Sequence, residues 1–275
     1  MNILITYADN KYQNARKWNV LTGRYIAKFE KIYAFSPKDI DTEFKVQNSE
    51  IFKYKRGNGL WLWKPYFIDK VINECHEGDI VFYCDAGACF TKDPIKYIKP
   101  FLEETPIFCC DIPLIESNFT KPICFESLNL NSEEIKYSNQ IIATYLCLRV
   151  CEESRKFIKE WLDTCCDLEL LKPEGNNFNF THSNEYEFVV HREDQSLFSL
   201  LCKKYGYKPH RDISQRGEEP MTYYNPNYIY KETKHEDDTY PSMIWLHKSP
   251  NLDILYFSKL FLRRIRNKLY KILKR

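Results

Sequence analysis

Apolar residues in this chain fall alternately into short unbroken runs and into helical spacings, the pattern from which an α/β domain is built. Ile3 to Tyr7 reads as a short buried strand. A polar stretch from Ala8 to Tyr12 follows, and Trp18, Leu21 and Ile26 then carry a helical pattern, a beginning typical of nucleotide-binding α/β folds. Lys31-Ile-Tyr-Ala-Phe35 is a second strand, closed by Ser36-Pro37. A third apolar stretch at Ile51-Phe52 leads into Arg56-Gly57-Asn58-Gly59, whose residue types demand a turn. Pro65 sits where a helix can begin, and Phe67, Ile68, Val71, Ile72 and Cys75 continue it at helical spacing to an end near Gly78.

Ile80-Val-Phe-Tyr-Cys84 is an unbroken apolar run, the pattern of a central strand buried on both faces. Asp85 therefore stands at that strand's carboxyl end, where open α/β sheets bind ligands, and the small Ala86 and Gly87 follow it. The plainer reading of Asp85 is a turn cap. Ile107 to Cys110 and Ile141 to Leu148 read as further strands, and Glu152 to Cys166 as a helix turning Phe157, Ile158, Trp161 and Leu162 inward. Residues 167–187 are polar and Asn-rich, a loop by composition. Val189-Val190 ends a short strand, and a helix containing Leu197, Phe198, Leu200 and Leu201 opens with Asp194 at its start. With no internal repeat and no low-complexity linker, the organisation expected is one domain over 1–250 and a tail over 251–275.

Charge changes this picture mainly at the end of the chain. Over 275 residues, 40 basic groups face 38 acidic ones, a net +2 that argues against a general polyanion binder. Eight of the basic residues lie between Ile254 and Arg275 without one acid, leaving residues 1–253 at −6. On a helical projection Leu255, Leu262, Ile265, Leu269, Ile272 and Leu273 form a stripe opposite Arg263, Arg264, Lys271, Lys274 and Arg275, a basic amphipathic helix. Such a tail suits an anionic membrane surface, the alternative being docking on the acidic body of its own chain. The eleven cysteines show neither a disulfide framework nor a Cys-x-x-Cys, and Met1 leads directly into an apolar strand rather than a signal peptide. Reduced thiols filling a core, in a cytosolic protein, are expected. Asn118 and Asn179 match the glycosylation pattern by letters only, and no apolar run has the length of a spanning helix.

A carboxylate at a strand end can hold Mg²⁺ or Mn²⁺ together with substrate phosphates. No phosphate-binding Gly-x-x-x-x-Gly-Lys-Ser/Thr is present, and Arg56-Gly57-Asn58-Gly59 lacks the spacing of a dinucleotide fingerprint, so kinase and dehydrogenase readings recede. Lys64 and Arg56 are candidates to neutralise phosphate, or are solvated charges. Trp61, Trp63 and Tyr66 are candidates to stack on a base or sugar, or are core, and Trp63 is retained because it adjoins Lys64.

Three segments, Arg56-Gly-Asn-Gly-Leu-Trp-Leu-Trp-Lys-Pro-Tyr66, Gly78-Asp-Ile-Val-Phe-Tyr-Cys-Asp-Ala-Gly87 and His191-Arg-Glu-Asp-Gln-Ser196, resemble in order and spacing a family of bacterial GT-A-fold glycosyltransferases that build capsule and lipopolysaccharide glycans. The resemblance spans roughly residues 1–250. It implies a GT-A-like domain with a Rossmann-like nucleotide half and an acceptor half on one sheet, a nucleotide-sugar donor and a glycan acceptor. Asp85-Ala86-Gly87 resembles the Asp-x-Asp metal motif, with Gly in place of the second acid. His247, in Trp245-Leu-His-Lys248, is the candidate to complete a Mn²⁺ or Mg²⁺ site with Asp85. Thr6, Tyr7 and Ala8 would line the base and ribose. Asp194 would be the catalytic carboxylate, as a general base or as a group stabilising positive charge at the sugar, with Glu193 its rival. A helix N-terminus favours acids for structural reasons too. His191 and Gln195 would contact sugar hydroxyls. Family frequency puts UDP first as the nucleotide, with galactose, galactofuranose or glucose as the sugar. The acceptor implied is lipid-linked, which would hold the enzyme at the inner face of the cell membrane. The competing reading is a non-catalytic glycan-binding or scaffold protein at the membrane. A phosphohydrolase lacks the second acid after Asp85, and no nucleic-acid module is recognisable.

Overall fold

The computed structural model describes residues 1–174, 188–226, 228–252 and 258. Along the chain come β1 (Asn2–Tyr7), α1 (Gln13–Tyr25), β2 (Lys31–Phe35), α2 (Trp63–Glu74), β3 (Ile80–Cys84), β4 (Ala88–Phe90) and α3 (Ile95–Glu104). They are followed by β5 (Ile107–Phe108), β6 (Asp111–Ile115), β7 (Asn139–Ile141), β8 (Tyr145–Arg149), α4 (Glu152–Cys166), α5 (Glu193–Lys204) and β9 (Ile244–Leu246), with short helical turns between. The central sheet has the order β2-β1-β3-β8-β5. β1 runs parallel to β2 and β3, whereas β8 runs antiparallel to both β3 and β5. Two small antiparallel ribbons, β4-β9 and β6-β7, stand beside it. The mixed α/β architecture expected from the sequence is the one observed.

Strand alternation sends Ile3, Ile5, Val81, Tyr83, Leu146 and Leu148 to one face of the sheet, and Leu4, Phe82, Cys84, Tyr145 and Cys147 to the other. The first face packs on α2, α4 and α5. All five residues of β3 are buried, and each such side chain contributes about 1.5–3 kcal/mol relative to exposure, which fixes this strand at the centre. All eleven cysteines are free and eight are buried, in keeping with a core role.

Three local expectations change. In α1 the buried residues are Ala15, Asn19 and Gly23, while Leu21 and Ile26 are exposed. The small residues face inward because Leu4 leaves no space there: a Cβ at Gly23 would lie 2.6 Å from the Leu4 side chain. The run from Ile141 to Leu148 is broken into β7 and β8, and the strand beginning at Ile107 ends at Phe108. Val190 makes only a single bridge before α5. The amphipathic stretch 254–275 lies outside the described residues apart from Ser258, as do 175–187; among the described residues no helix is long and apolar enough to cross a membrane.

Candidate active site

β1 and β3 end side by side, with Ile5 paired to Tyr83, so the segments that follow them meet at the carboxyl edge of the sheet. Tyr7 and Ala8 on one side and Asp85-Ala86-Gly87 on the other line a cleft of about 530 Å³. The Asp85 backbone is fixed there by its N–H to Thr144 O, 2.8 Å, while Asn19 donates to Ala88 O at 2.9 Å and to Asp85 O at 3.4 Å.

The facing wall is a left-handed turn. Gly57, Asn58, Gly59, Leu60 and Trp61 have φ of 59°, 53°, 90°, 54° and 60° in succession. Left-handed backbone costs a non-Gly residue about 1–2 kcal/mol, so this turn must be held by its surroundings. Gly57 is required: a Cβ there would lie 2.3 Å from the Trp61 ring. The turn is tied to β1 by the Asn58 amide, which donates to the Tyr7 hydroxyl, and by Trp63, whose ring stacks on Tyr7 at 3.7 Å and 18°. Trp63 Nε1 donates to Gly57 O at 2.8 Å.

A second cleft, of about 510 Å³, is lined by Arg192, Gln195, Arg216 and Tyr223 among others, and Thr144, Leu246 and Lys248 belong to both. The two clefts therefore join at Lys248. Gln195 donates to Gln140 Oε1 at 2.8 Å and Arg192 donates to the same oxygen at 3.2 Å. Gln140 is buried beside Glu116, a wholly buried carboxylate that accepts from Ser199 and pairs with the Lys203 ammonium. That network holds the floor of the second cleft in one arrangement.

Beneath the join lies a buried ion-pair chain. Lys64 Nζ is 2.6 Å from Asp194 Oδ2 and 3.7 Å from Asp85 Oδ1, and donates to Ala143 O at 3.1 Å. Burial opposes its charge, but two carboxylates outweigh that and hold the ammonium above its ordinary pKa. Asp194 shares this one lysine. Burial, only partly offset by Lys64 and reinforced by Asp85 and Glu193, raises its pKa to about 7.

Tyr7, Ala8, Trp63, Asp85, Ala86 and Gly87 all line the first cleft, and Gln195 the second. Other candidates are placed differently. Thr6 is fully buried behind the cleft wall. Lys64 is buried and spent on its two carboxylates, so it is not set out for a phosphate, while Arg56, 46% exposed, pairs with Glu193 at 2.5 Å. Glu193 is correspondingly engaged, and Asp194, 4% exposed, lines neither cleft. His191 is wholly buried and its Nδ1 accepts the Lys121 N–H at 3.4 Å, so it supports the chain entering α5 rather than touching a sugar.

The divalent ion implied by the resemblance finds a poor set of donors. His247 Nδ1 accepts the Ser249 N–H at 3.1 Å, which places the ring proton on Nε2 and leaves that tautomer without a lone pair to offer. Asp85 Oδ1 accepts the Tyr83 hydroxyl and adjoins Lys64. Gly87, in the place of a second acid, has Lys248 Cα 3.4 Å from where a Cβ would stand, and its carbonyl accepts the N–H groups of both His247 and Lys248. Among the described residues no group of three or more His, Cys, Asp or Glu side chains is arranged to hold a metal. The residues present do not fit the ion.

Sequence reading passed over Lys248, Arg192, Arg216, Asn58 and Gln140. Lys248 and Arg192 stand beside residues that were singled out, and their charge was a usable signal. Arg216 and Gln140 carry no local mark.

No protein-family model matches the sequence, and a search of curated proteins finds no match. Among solved structures, the chain is similar to mouse xyloside xylosyltransferase 1, with TM-score 0.46 and 10% identity over 90% of this chain and 97% of that one. It is similar to the galactosyltransferase LgtC in complex with donor and acceptor sugar analogues, with TM-score 0.47 and 12% identity over 90% and 87%. A third likeness is to the glycosyltransferase GlyE of Streptococcus pneumoniae, with TM-score 0.40 and 14% identity over 89% and 54%.

Proposed function

We propose that the chain is a glycosyltransferase that moves a hexose from a nucleoside diphosphate sugar, UDP-linked by default, to a glycan acceptor. The observation that carries this reading is the pair of joined clefts at the carboxyl edge of the sheet. One has aromatic and small residues at the end of β1, suited to a nucleoside; the other has Gln195 and two arginines, suited to polar sugar and phosphate groups. The three segments quoted from the sequence supply Gly57, Asn58, Trp61, Trp63 and Asp85-Ala86-Gly87 to the first cleft, and Arg192 and Gln195 to the second.

Transfer joins the acceptor oxygen to the anomeric carbon, releases the nucleoside diphosphate and frees the acceptor's proton. Besides Asp9, whose carboxylate accepts the Lys11 and Tyr12 N–H groups, Asp85 is the carboxylate that lines these clefts among the described residues. We assign Asp85 the catalytic part, and Asp194, acting through Lys64, the part of a positioning residue. A lipid-linked acceptor and attachment of 254–275 to an anionic leaflet belong to the same proposal; each basic residue of that tail contributes about 1 kcal/mol near such a surface.

The test is release of nucleoside diphosphate from a panel of sugar nucleotides incubated with glycan acceptors. Turnover is expected with one donor class, falling by about 100-fold or more in Asp85→Asn, the lower end of what a proton-transfer group contributes. Folded protein that binds glycan and turns over no donor would instead support the binding or scaffold reading.

A further inference from the structure

Three cations face the second cleft with no carboxylate in ion-pair distance among the described residues: Arg192, Arg216 and Lys248. Deeper in the site charge is matched, Lys64 with Asp85 and Asp194, Arg56 with Glu193, while Lys11 and Lys55 at the first cleft add two further cations outside any ion pair among the described residues. Arg192 and Arg216 are half-buried, where unmatched charge is costly unless a ligand of opposite sign completes it, and Lys248 is exposed and open to such a ligand. The two arginines are also held in place. The Arg192 guanidinium lies over the Phe119 ring, 3.9 Å from its centroid, and donates to Gln140; Arg216 lies over Tyr223 at 4.9 Å. Lys248 is held by its own backbone, whose N–H donates to Gly87 O at 3.0 Å and whose φ of 55° is unusual for a lysine.

The three charges act on one another. Partial desolvation, and then repulsion from Arg216 and Arg192, keep the Lys248 ammonium below its ordinary pKa. Lys248 also stands against Gly87, the position from which a second metal-binding acid would project. A divalent cation placed here would meet one carboxylate, the neighbouring Lys64 ammonium and three further positive groups.

Resting on the glycosyltransferase reading, we propose that Lys248, Arg192 and Arg216 form the seat of the donor's diphosphate and neutralise it as it leaves, in place of a divalent cation. With Lys248 where the clefts join and the two arginines in the second cleft, the diphosphate lies between the nucleoside wall and the side that receives the sugar. The anion they take is a diphosphate of a bound nucleotide, not a phosphate on the acceptor.

The experiment titrates UDP, GDP, CDP and ADP into the full chain in EDTA and again with Mn²⁺. One of them is expected to bind in EDTA with an affinity that Mn²⁺ changes by less than about threefold. Lys248→Met is expected to weaken that diphosphate by about 10-fold or more, the worth of one charge-assisted hydrogen bond, while the matching nucleoside binds unchanged and Lys248→Arg restores most of the loss. In wild-type protein in EDTA, inorganic pyrophosphate is expected to displace the nucleotide. Binding that needs Mn²⁺, pyrophosphate that fails to compete, or equal weakening of nucleoside and diphosphate in Lys248→Met would each overturn the proposal while leaving a nucleotide-binding transferase standing. Absence of binding by all four nucleotides in both buffers would bring down the transferase reading and this inference together.

Discussion

Removing the Lys64 ammonium is the most informative perturbation, because its consequence depends on pH in a way that only the buried chain Asp85–Lys64–Asp194 explains. In the native protein Asp194 titrates at about 7 against an ordinary 3.8. At 1.36 kcal/mol per unit this is about 4 kcal/mol of preference for the protonated form in the folded state. Because the folded value is raised, the stabilisation is fully present below pH 3.8 and is lost as pH rises through 7. Lys64→Met keeps the side chain out to Cε, removes the ammonium and leaves Asp194 without its counter-charge. Breaking a buried pair this way costs about 3–5 kcal/mol where the carboxyl is ionised, a fall of roughly 6–20 °C in melting midpoint for a chain of this size. Below pH 5.5 Asp194 is protonated in the wild type already, and the same substitution costs much less, about 1 kcal/mol, the ordinary scale of a lost hydrogen bond. The assay is denaturant unfolding of wild type, Lys64→Met and Lys64→Met/Asp194→Asn at pH 5 and 8.5. The double variant is expected to recover most of the loss at pH 8.5 and to lose the pH dependence. A Lys64→Met penalty that is the same at both pH values, or a double variant no more stable than the single one, would refute the reasoning.

Two further outcomes follow from geometry away from that chain. Gly57→Ala puts a Cβ into the Trp61 ring at a left-handed φ, and is expected to cost about 1–3 kcal/mol in thermal unfolding and to shift the tryptophan emission as Trp61 leaves the cleft wall. His235 is half-buried. Burial works against its charge, but the hydrogen bond and charge of Asp111 at 2.8 Å, aided by Asp238, raise its pKa above 6.5. Its contribution is therefore complete below pH 6.5 and disappears as pH rises through the raised value. Unfolding midpoints measured across that window should fall in wild type and stay flatter in His235→Gln; equal slopes would count against the pair.

Several features of this protein are settled by local sequence. The continuous apolar run Ile80–Cys84 has no stable place except the middle of a sheet, and it carries Asp85 to the carboxyl edge wherever the rest of the chain goes. The helix Glu152–Cys166 occupies the limits its periodicity gives it, because acids open it and one apolar stripe meets the core. Glycines at 57 and 59 mark a turn whose left-handed backbone most other residues resist.

Tertiary structure decided which charges face the clefts. Residue type and spacing offered Lys64 and Arg56 for phosphate, Asp194 and Glu193 for catalysis and Asp85 for a metal, but could not say which of these charges are buried in pairs, since charged residues look alike along a sequence. Folding buried Lys64 with Asp194, tied Glu193 to the exposed Arg56, and set Asp85 at the cleft. It also brought Arg192, Arg216 and Lys248, drawn from three separate segments, to one wall. Desolvation and pairing over such separations depend on what packs across the sheet, and a pattern read over one or two helical turns does not contain that information.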